Sequence, residues 1–210
     1  MDIVNLLVII LVSYLLGSIP TSILVGKWFY GLDIREHGSG NAGATNVFRV
    51  LGWKPGVAVM LVDIGKGAAA TLYASQIVFT PIGIDPVYLK ILAGLSAVFG
   101  HIWTVFAGFR GGKGVATAAG MLFALYPIAG LICFAVFLII AFTTRYMSLA
   151  SMLAAVCLPI VLLIMNNIFH KLVQPPLFVF SIFIAVLIVY THRSNIKRLL
   201  AGTENRLGRK

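Results

Sequence analysis

The sequence predicts an all-α, polytopic membrane bundle of seven transmembrane helices, some of them short, with the N-terminus outside and the C-terminus in the cytoplasm. Three observations predict it. Hydrophobic residues make up 60% of the 210 and charged residues only 10%, against roughly 25% charged in a soluble domain. The apolar residues gather into runs of bilayer length, about 20 residues of helix. The cations stand in the intervals between the runs, the distribution that keeps basic loops inside.

The first run, Ile3 to Gly26, follows Met1 and Asp2 with no Lys or Arg before it. It lacks the basic n-region of a cleaved signal peptide and is expected to remain as the first span. The next interval carries Lys27, Arg35, Arg49 and Lys54. Gly56 to Phe79 and Val87 to Ala107 are the second and third runs, joined by the link Thr80 to Pro86, which has no Lys or Arg and can lie outside. Arg110 and Lys113 precede Val115 to Phe142. Leu149 to Met165 and Leu177 to Tyr190 follow, with Lys171 the single cation between them. Arg193, Lys197, Arg198, Arg206, Arg209 and Lys210 crowd the tail. By the positive-inside rule the first loop, the Arg110 interval and the tail are all cytoplasmic.

Six spans cannot satisfy that assignment, because three crossings after Arg110 would leave the tail outside. The extra crossing has a place. Val115 to Phe142 is 28 residues long with Tyr126-Pro127 near its middle, and Pro disfavours continuing a helix through that point. Two legs of roughly 18 to 22 Å result, short of the roughly 30 Å hydrocarbon core, so they are expected as a hairpin of short helices or a partly re-entrant segment. The alternative is one long tilted span kinked at Pro127.

There is no soluble second domain, low-complexity linker or internal repeat, so residues 1–210 are expected to form a single membrane-embedded domain. The net charge of +10 is explained by topology, and no nucleic-acid partner is expected, because no aromatic-interleaved basic surface accompanies it. Cys133 and Cys157 lie inside apolar runs and read as packing residues.

Two intervals carry chemistry. His37 to Arg49 reads HGSGNAGATNVFR, with Ser39, Gly40, Asn41, Thr45 and Asn46 ahead of Arg49. A glycine-rich turn lets backbone N–H groups converge on phosphate oxygens, and an Arg supplies the countercharge. If a helix starts near Ala42, Asn46 and Arg49 share a face toward a bound anion; the plainer alternative makes Ser39 or Asn41 a helix N-cap. The second interval, Arg110-Gly111-Gly112-Lys113-Gly114, opens an apolar leg and so places Lys113 and its N–H groups at a helix N-terminus. Gly114 stands where a Walker loop needs Ser or Thr, which points to phosphate without nucleotide.

Three further groups stand out. Asp63 and Lys66, at i and i+3 within the second run, are expected to pair inside the bundle. His192 and Asn195 would share a site if the last helix continues, and Glu204 is expected in an ion pair within the basic tail. His101 is either a residue of the interfacial belt or one that reaches the site.

The motifs GSIPTS at Gly17 to Ser22, GSGNAGATN at Gly38 to Asn46, VDIGKG at Val62 to Gly67, GFRGGKGVAT at Gly108 to Thr117 and HRSNIKRLLAGTE at His192 to Glu204 resemble the bacterial acyl-phosphate:glycerol-3-phosphate acyltransferases, the PlsY family. The resemblance implies transfer of a fatty acyl group from acyl phosphate to the 1-hydroxyl of sn-glycerol 3-phosphate, without a cofactor or metal, at the cytoplasmic face of the bacterial plasma membrane. It implies seven helices with an outside N-terminus, in agreement with the parity argument. Acyl phosphate, glycerol 3-phosphate and membrane lipids are the implied partners, with a transient contact to the soluble enzyme that makes acyl phosphate. By motif, Ser39, Arg49, Lys113, His192 and Asn195 take catalytic roles, and Gly40, Asn41, Thr45, Asn46, Gly111, Gly112 and Gly114 bind substrate. Asp63, Lys66 and Glu204 are structural.

The implied chemistry suits these residue types, since acyl phosphate is already activated and needs chiefly orientation and charge stabilisation. The proton of the glycerol hydroxyl goes to His192 or to a substrate phosphate oxygen, the latter suggested by the absence of a His–carboxylate pair near a motif. A covalent role for Ser39 is the weaker third route. An acyl-CoA enzyme using His-x4-Asp is disfavoured, because none of His37, His101, His170 and His192 has Asp five residues later. A small phosphate or organic-anion transporter is the non-enzymatic alternative; its sites should be reached from both sides, whereas the polar clusters fall on one.

Overall fold

The computed structural model describes residues 2–168 and 173–208, which form helices and turns without a strand. His170, Lys171, Arg209 and Lys210 lie outside the described residues. The chain falls into two compact units, Met1–Leu125 and Tyr126–Lys210. Among the described residues five helical segments are long and apolar enough to cross a membrane, and a sixth counts if a bent pair near the C-terminus is taken as one span. The protein is a multi-pass membrane protein.

In the first unit, α1 (Asp2–Ser18) and α2 (Thr21–Tyr30) together make the first apolar segment. The expected single run is broken at Ile19-Pro20. Pro20 has no N–H to continue the ladder, and its carbonyl restarts it by accepting from Ile23 and Leu24, each at 3.0 Å. The short α3 (Ala44–Val50) lies in the first cation-bearing loop, and α4 (Trp53–Leu72) is the second apolar helix. Asp85 caps α5 (Pro86–Ile102) by accepting from the Val87 N–H at 2.8 Å, with Pro86 in the first turn. The helix α6 (Val115–Leu125) is apolar but has only 11 residues.

Glycines set how closely these helices approach. A Cβ at Gly17 would fall on the Ala97 carbonyl oxygen and one at Gly100 on that of Tyr14, so α1 and α5 pack backbone to backbone. Gly67 and Gly120 do the same for α4 and α6, against the carbonyls of Thr117 and Ile64. Close approach through small residues replaces the hydrophobic drive that lipid cannot supply. Asn5, buried on α1, ties the link between α4 and α5 to the helix: its Nδ2 donates to the Thr80 carbonyl at 3.1 Å and its Oδ1 accepts from the Phe79 N–H at 3.0 Å.

The expected interruption of Val115 to Phe142 is present. Tyr126, forced out of the helical region ahead of Pro127, separates α6 from α7 (Pro127–Thr144). The second leg is longer than expected, since α7 runs 18 residues to a left-handed cap at Arg145. The Thr143 and Thr144 hydroxyls bond back to the carbonyls of Ile139 and Ile140 at 2.7 Å and so remain satisfied within that last turn. In the second unit α7 packs on α8 (Met147–Asn167), α8 on α9 (Pro175–Thr191), and α10 (Arg193–Leu200) leaves α9 at a 60° bend.

Candidate functional site

The first glycine-rich loop is built around Asn46. This side chain is fully buried on α3, its Oδ1 accepts the Ser39 N–H at 2.8 Å and the Ser39 hydroxyl at 3.1 Å, and its Nδ2 donates to the carbonyls of Ile34 and His37, both at 2.9 Å. Both lone pairs and both N–H groups are thus used within the loop. Asn46 therefore folds the loop over itself and leaves Ser39 exposed at its tip. Gly38, at φ +62°, permits the turn, because a Cβ there would meet the Asn46 amide oxygen.

Apolar burial anchors the same loop. Ile34, Ala42 and Val47 pack with Ile23 and Val59, each large side chain contributing about 1.5–3 kcal/mol of burial. Gly43 occupies the N-cap position of α3 without a side-chain cap, so neither Ser39 nor Asn41 plays the capping role open to it from sequence. Asn41, Thr45 and Arg49 are half-buried. Asp33 accepts from the Arg35 backbone at 3.0 Å and from its guanidinium at 2.7 and 3.0 Å, with Lys27 at 3.5 Å. The Arg35 guanidinium holds the Asp33 carboxyl well below the usual carboxylate range. Arg35 also donates to the Ala107 carbonyl at 3.1 Å, which joins the first loop to the approach of the second.

The second loop departs from expectation in its use of glycine. The N–H groups of Gly111 and Gly112 are not aimed at a ligand: they donate to the carbonyls of Ile102 and His101, at 3.1 and 3.0 Å, folding the loop back on the end of α5. The cradle read from the sequence is corrected at these two positions. The glycines are needed for proximity instead, since a Cβ at Gly111 would strike the His101 carbonyl and one at Gly112 the His101 imidazole, with the Ala42 carbonyl 2.8 Å away. Lys113 is half-buried, and Gly114, at φ +81°, starts α6.

Behind both loops lies a buried charged cluster. Lys66 Nζ stands 2.8 Å from Asp63 Oδ1, as the i, i+3 spacing predicts, and donates to the Ile19 carbonyl at 3.0 Å. His101 Nδ1 lies 3.6 Å from the same Asp63 oxygen, and the three side chains are at most 7% exposed. Sequence spacing gave no sign of this His–carboxylate pair, because its members stand 38 positions apart. A small cavity borders the cluster and is lined also by Ser22, Ala42, Gly111 and Gly112.

The third motif lies in the second unit. His192 sits at the α9–α10 bend, 3% exposed, with Nδ1 2.8 Å from the Ile188 carbonyl. A carbonyl can only accept, so the neutral ring carries its proton on Nδ1. The helix expected to continue through His192 and Asn195 instead bends there, since the His192 N–H already turns to the carbonyls of Ile188 and Val189. Asn195 is buried and donates to Glu204 Oε1 at 2.6 Å; Ser148 donates to the same oxygen at 2.8 Å, and Arg198 to Oε2 at 2.7 Å. The ion pair expected for Glu204 is with Arg198. Burial opposes ionisation of Glu204, but the bonds from Asn195, Ser148 and Arg198 outweigh it and hold the carboxyl below its ordinary range.

Comparison with known proteins bears on what such loops serve. A family model described as glycerol-3-phosphate acyltransferase matches residues 7–202. The chain is 49% identical to a glycerol-3-phosphate acyltransferase of Chlorobium phaeobacteroides (strain BS1), over 97% of each chain, and 48% identical to one of Chlorobaculum tepidum, over 97% of this chain and 98% of the relative. It is similar to a crystal structure of PlsY (YgiH), an integral membrane glycerol 3-phosphate acyltransferase, in the glycerol 3-phosphate form, with TM-score 0.85, 42% identity and coverage of 97% of this chain and 96% of that one. The lysophosphatidic acid form of PlsY aligns with TM-score 0.81, also at 42% identity, covering 97% of this chain and 95% of that one.

Proposed function

The chain belongs to the glycerol-3-phosphate acyltransferase family, and from that premise we propose that it transfers a fatty acyl group from acyl phosphate to the sn-1 hydroxyl of glycerol 3-phosphate. The products are 1-acylglycerol 3-phosphate and phosphate, the first acylation of phospholipid synthesis. The observation that carries this reading is the first loop, where a saturated, buried Asn46 amide spends itself on presenting Ser39 beside the Arg49-bearing helix. A loop so firmly held suits a pair of substrates that need orientation more than activation.

In the proposed step the glycerol hydroxyl oxygen attacks the acyl carbonyl carbon, the tetrahedral oxyanion collapses, and the carbon–oxygen bond to phosphate breaks. The hydroxyl proton ends on the departing phosphate, directly or through His192. Arg49 and Lys113 offset the phosphate charges and the developing oxyanion, with Lys113 and the second loop serving the phosphate of glycerol 3-phosphate. Ser39 acts as a hydrogen-bonding group rather than a nucleophile: its hydroxyl faces an amide oxygen, which is no base. Asn46 serves as a positioning residue, His192 and Asn195 take the catalytic roles that their motif implies, and residues 1–210 act as one domain. Seven crossings, with α6 among them, put the N-terminus outside and the loops at the cytoplasmic face of the bacterial plasma membrane.

The test is turnover by the purified full-length protein in detergent with palmitoyl phosphate and labelled glycerol 3-phosphate. Equal amounts of 1-acylglycerol 3-phosphate and phosphate are expected, with no product from palmitoyl-CoA. No product from palmitoyl phosphate, together with phosphate counterflow in proteoliposomes, would replace the enzyme reading with transport.

A further inference from the structure

His101 holds the second loop twice. Its carbonyl accepts the Gly112 N–H at 3.0 Å, and its imidazole occupies the space that a Gly112 side chain would need. The opposite ring nitrogen, Nδ1, faces the Asp63 carboxylate at 3.6 Å. Asp63 is fixed in turn by Lys66, which also grips the Ile19 carbonyl at the α1–α2 break. One buried cluster therefore links the end of α1, the middle of α4, the end of α5 and the Gly111-Gly112-Lys113 turn.

Such a cluster is costly within an apolar span. Removing charges from water carries a penalty that pairing alone often fails to repay, and well-packed apolar residues would satisfy packing better. What charge provides here is geometry: the carboxylate orients the ring, and a planar ring against a glycine Cα sets the loop's position. The same cavity wall includes the Ala42 carbonyl, so the ring also borders the base of the first loop.

We propose that His101, oriented by Asp63 of the buried Asp63–Lys66 pair, is a positioning residue that sets where Lys113 meets the phosphate of glycerol 3-phosphate. This rests on the reading above that Lys113 serves that substrate. His101 touches no reacting atom; it acts through Gly112. Its loss should therefore be felt as weakened glycerol 3-phosphate binding more than as a general loss of the enzyme.

The experiment compares full-length wild type, His101→Ala, His101→Gln, Gly112→Ala and the double variant His101→Ala/Gly112→Ala, measuring kcat and KM for each substrate. His101→Ala is expected to raise KM for glycerol 3-phosphate about tenfold or more while KM for acyl phosphate stays within about twofold, with His101→Gln in between. Gly112→Ala alone should be severely impaired. In the His101→Ala background its further effect should shrink at least about fivefold, because the collision with the imidazole is gone and only the approach to the Ala42 carbonyl remains. Equal changes in the two KM values, or additive losses in the double variant, would overturn the proposal. Should His101→Ala fail to accumulate, His101→Gln carries the same KM comparison. An inactive wild type would sink the functional reading instead, so the two failures are told apart.

Discussion

The Ser39 hydroxyl and the Ser39 backbone N–H converge on one atom, Asn46 Oδ1, at 3.1 and 2.8 Å. Seven residues of loop are closed by that oxygen, and the backbone bond survives when the hydroxyl is removed. Ser39→Ala is thus expected to keep the wild-type melting temperature within a degree or so while losing most turnover. Asn46→Ala strips partners from Ser39, Ile34 and His37, at roughly 1–3 kcal/mol for each polar group left buried and unpaired. It should lose both stability and turnover, read by thermal unfolding in detergent beside the acyl-transfer assay. Equal destabilisation by the two variants would contradict this division of labour.

That division explains what was legible in the sequence. Apolar runs, basic intervals and the Tyr126-Pro127 break follow from local rules, and the structure bears out the helices and the interruption. The Asp63–Lys66 pair was readable because i, i+3 neighbours on a helix need no tertiary knowledge. Asn46 read as a ligand because its partners, Ile34 and His37 carbonyls, are backbone atoms that no sequence motif displays. The glycines at 111 and 112 read as a phosphate cradle for the same reason: whether a glycine bares its N–H or admits a neighbour depends on what lies behind it. Here that is His101, brought against them by the return of the chain after α5. The break at Ile19-Pro20 was hidden by the hydrophobicity of the surrounding run.

The α4–α6 contact can be tested with an internal control. Gly67 and Gly65 share α4, but a Cβ at Gly67 would collide with the Thr117 carbonyl, whereas one at Gly65 meets nothing within 4 Å. Gly67→Ala is expected to force the helices apart and cost about 1–3 kcal/mol. Gly65→Ala should be neutral or stabilise by up to about 1 kcal/mol through helix propensity. Thermal melts of the two variants in one detergent check the pair; a Gly67→Ala protein as stable as Gly65→Ala would deny the backbone contact.

Glu204 predicts an acid limit to the stability of the second unit. Its carboxyl titrates below the ordinary 4.5 in the folded chain, against burial, because Asn195, Ser148 and Arg198 all donate to the ionised form. A depressed folded pKa means the folded state binds fewer protons than the unfolded one, so the stabilisation is complete above 4.5 and is lost as pH falls through the folded value. Melting temperatures of wild type and Glu204→Gln, taken from pH 7 downward, should be well separated at neutral pH and draw together below 4.5. A separation that stays constant with pH would assign the effect to shape rather than charge.

The fate of the glycerol hydroxyl proton can be decided at His192. Its Nδ1–H is held by the Ile188 carbonyl, which fixes the ring in the tautomer whose Nε2 bears the lone pair, the form a general base requires. Yet the departing phosphate becomes the strongest new proton acceptor as its bond to carbon breaks, and it is attached to the reacting centre from the start. A base from the protein typically contributes about 10²–10⁴-fold, and that contribution is redundant if the phosphate takes the proton. His192→Ala is therefore expected to retain more than about a tenth of wild-type kcat at saturating glycerol 3-phosphate, with the loss concentrated in KM. The pH–rate profile should keep its acidic limb, since that limb would belong to the substrate. A kcat loss of about 10²-fold or more, with the limb abolished, would transfer the role to His192.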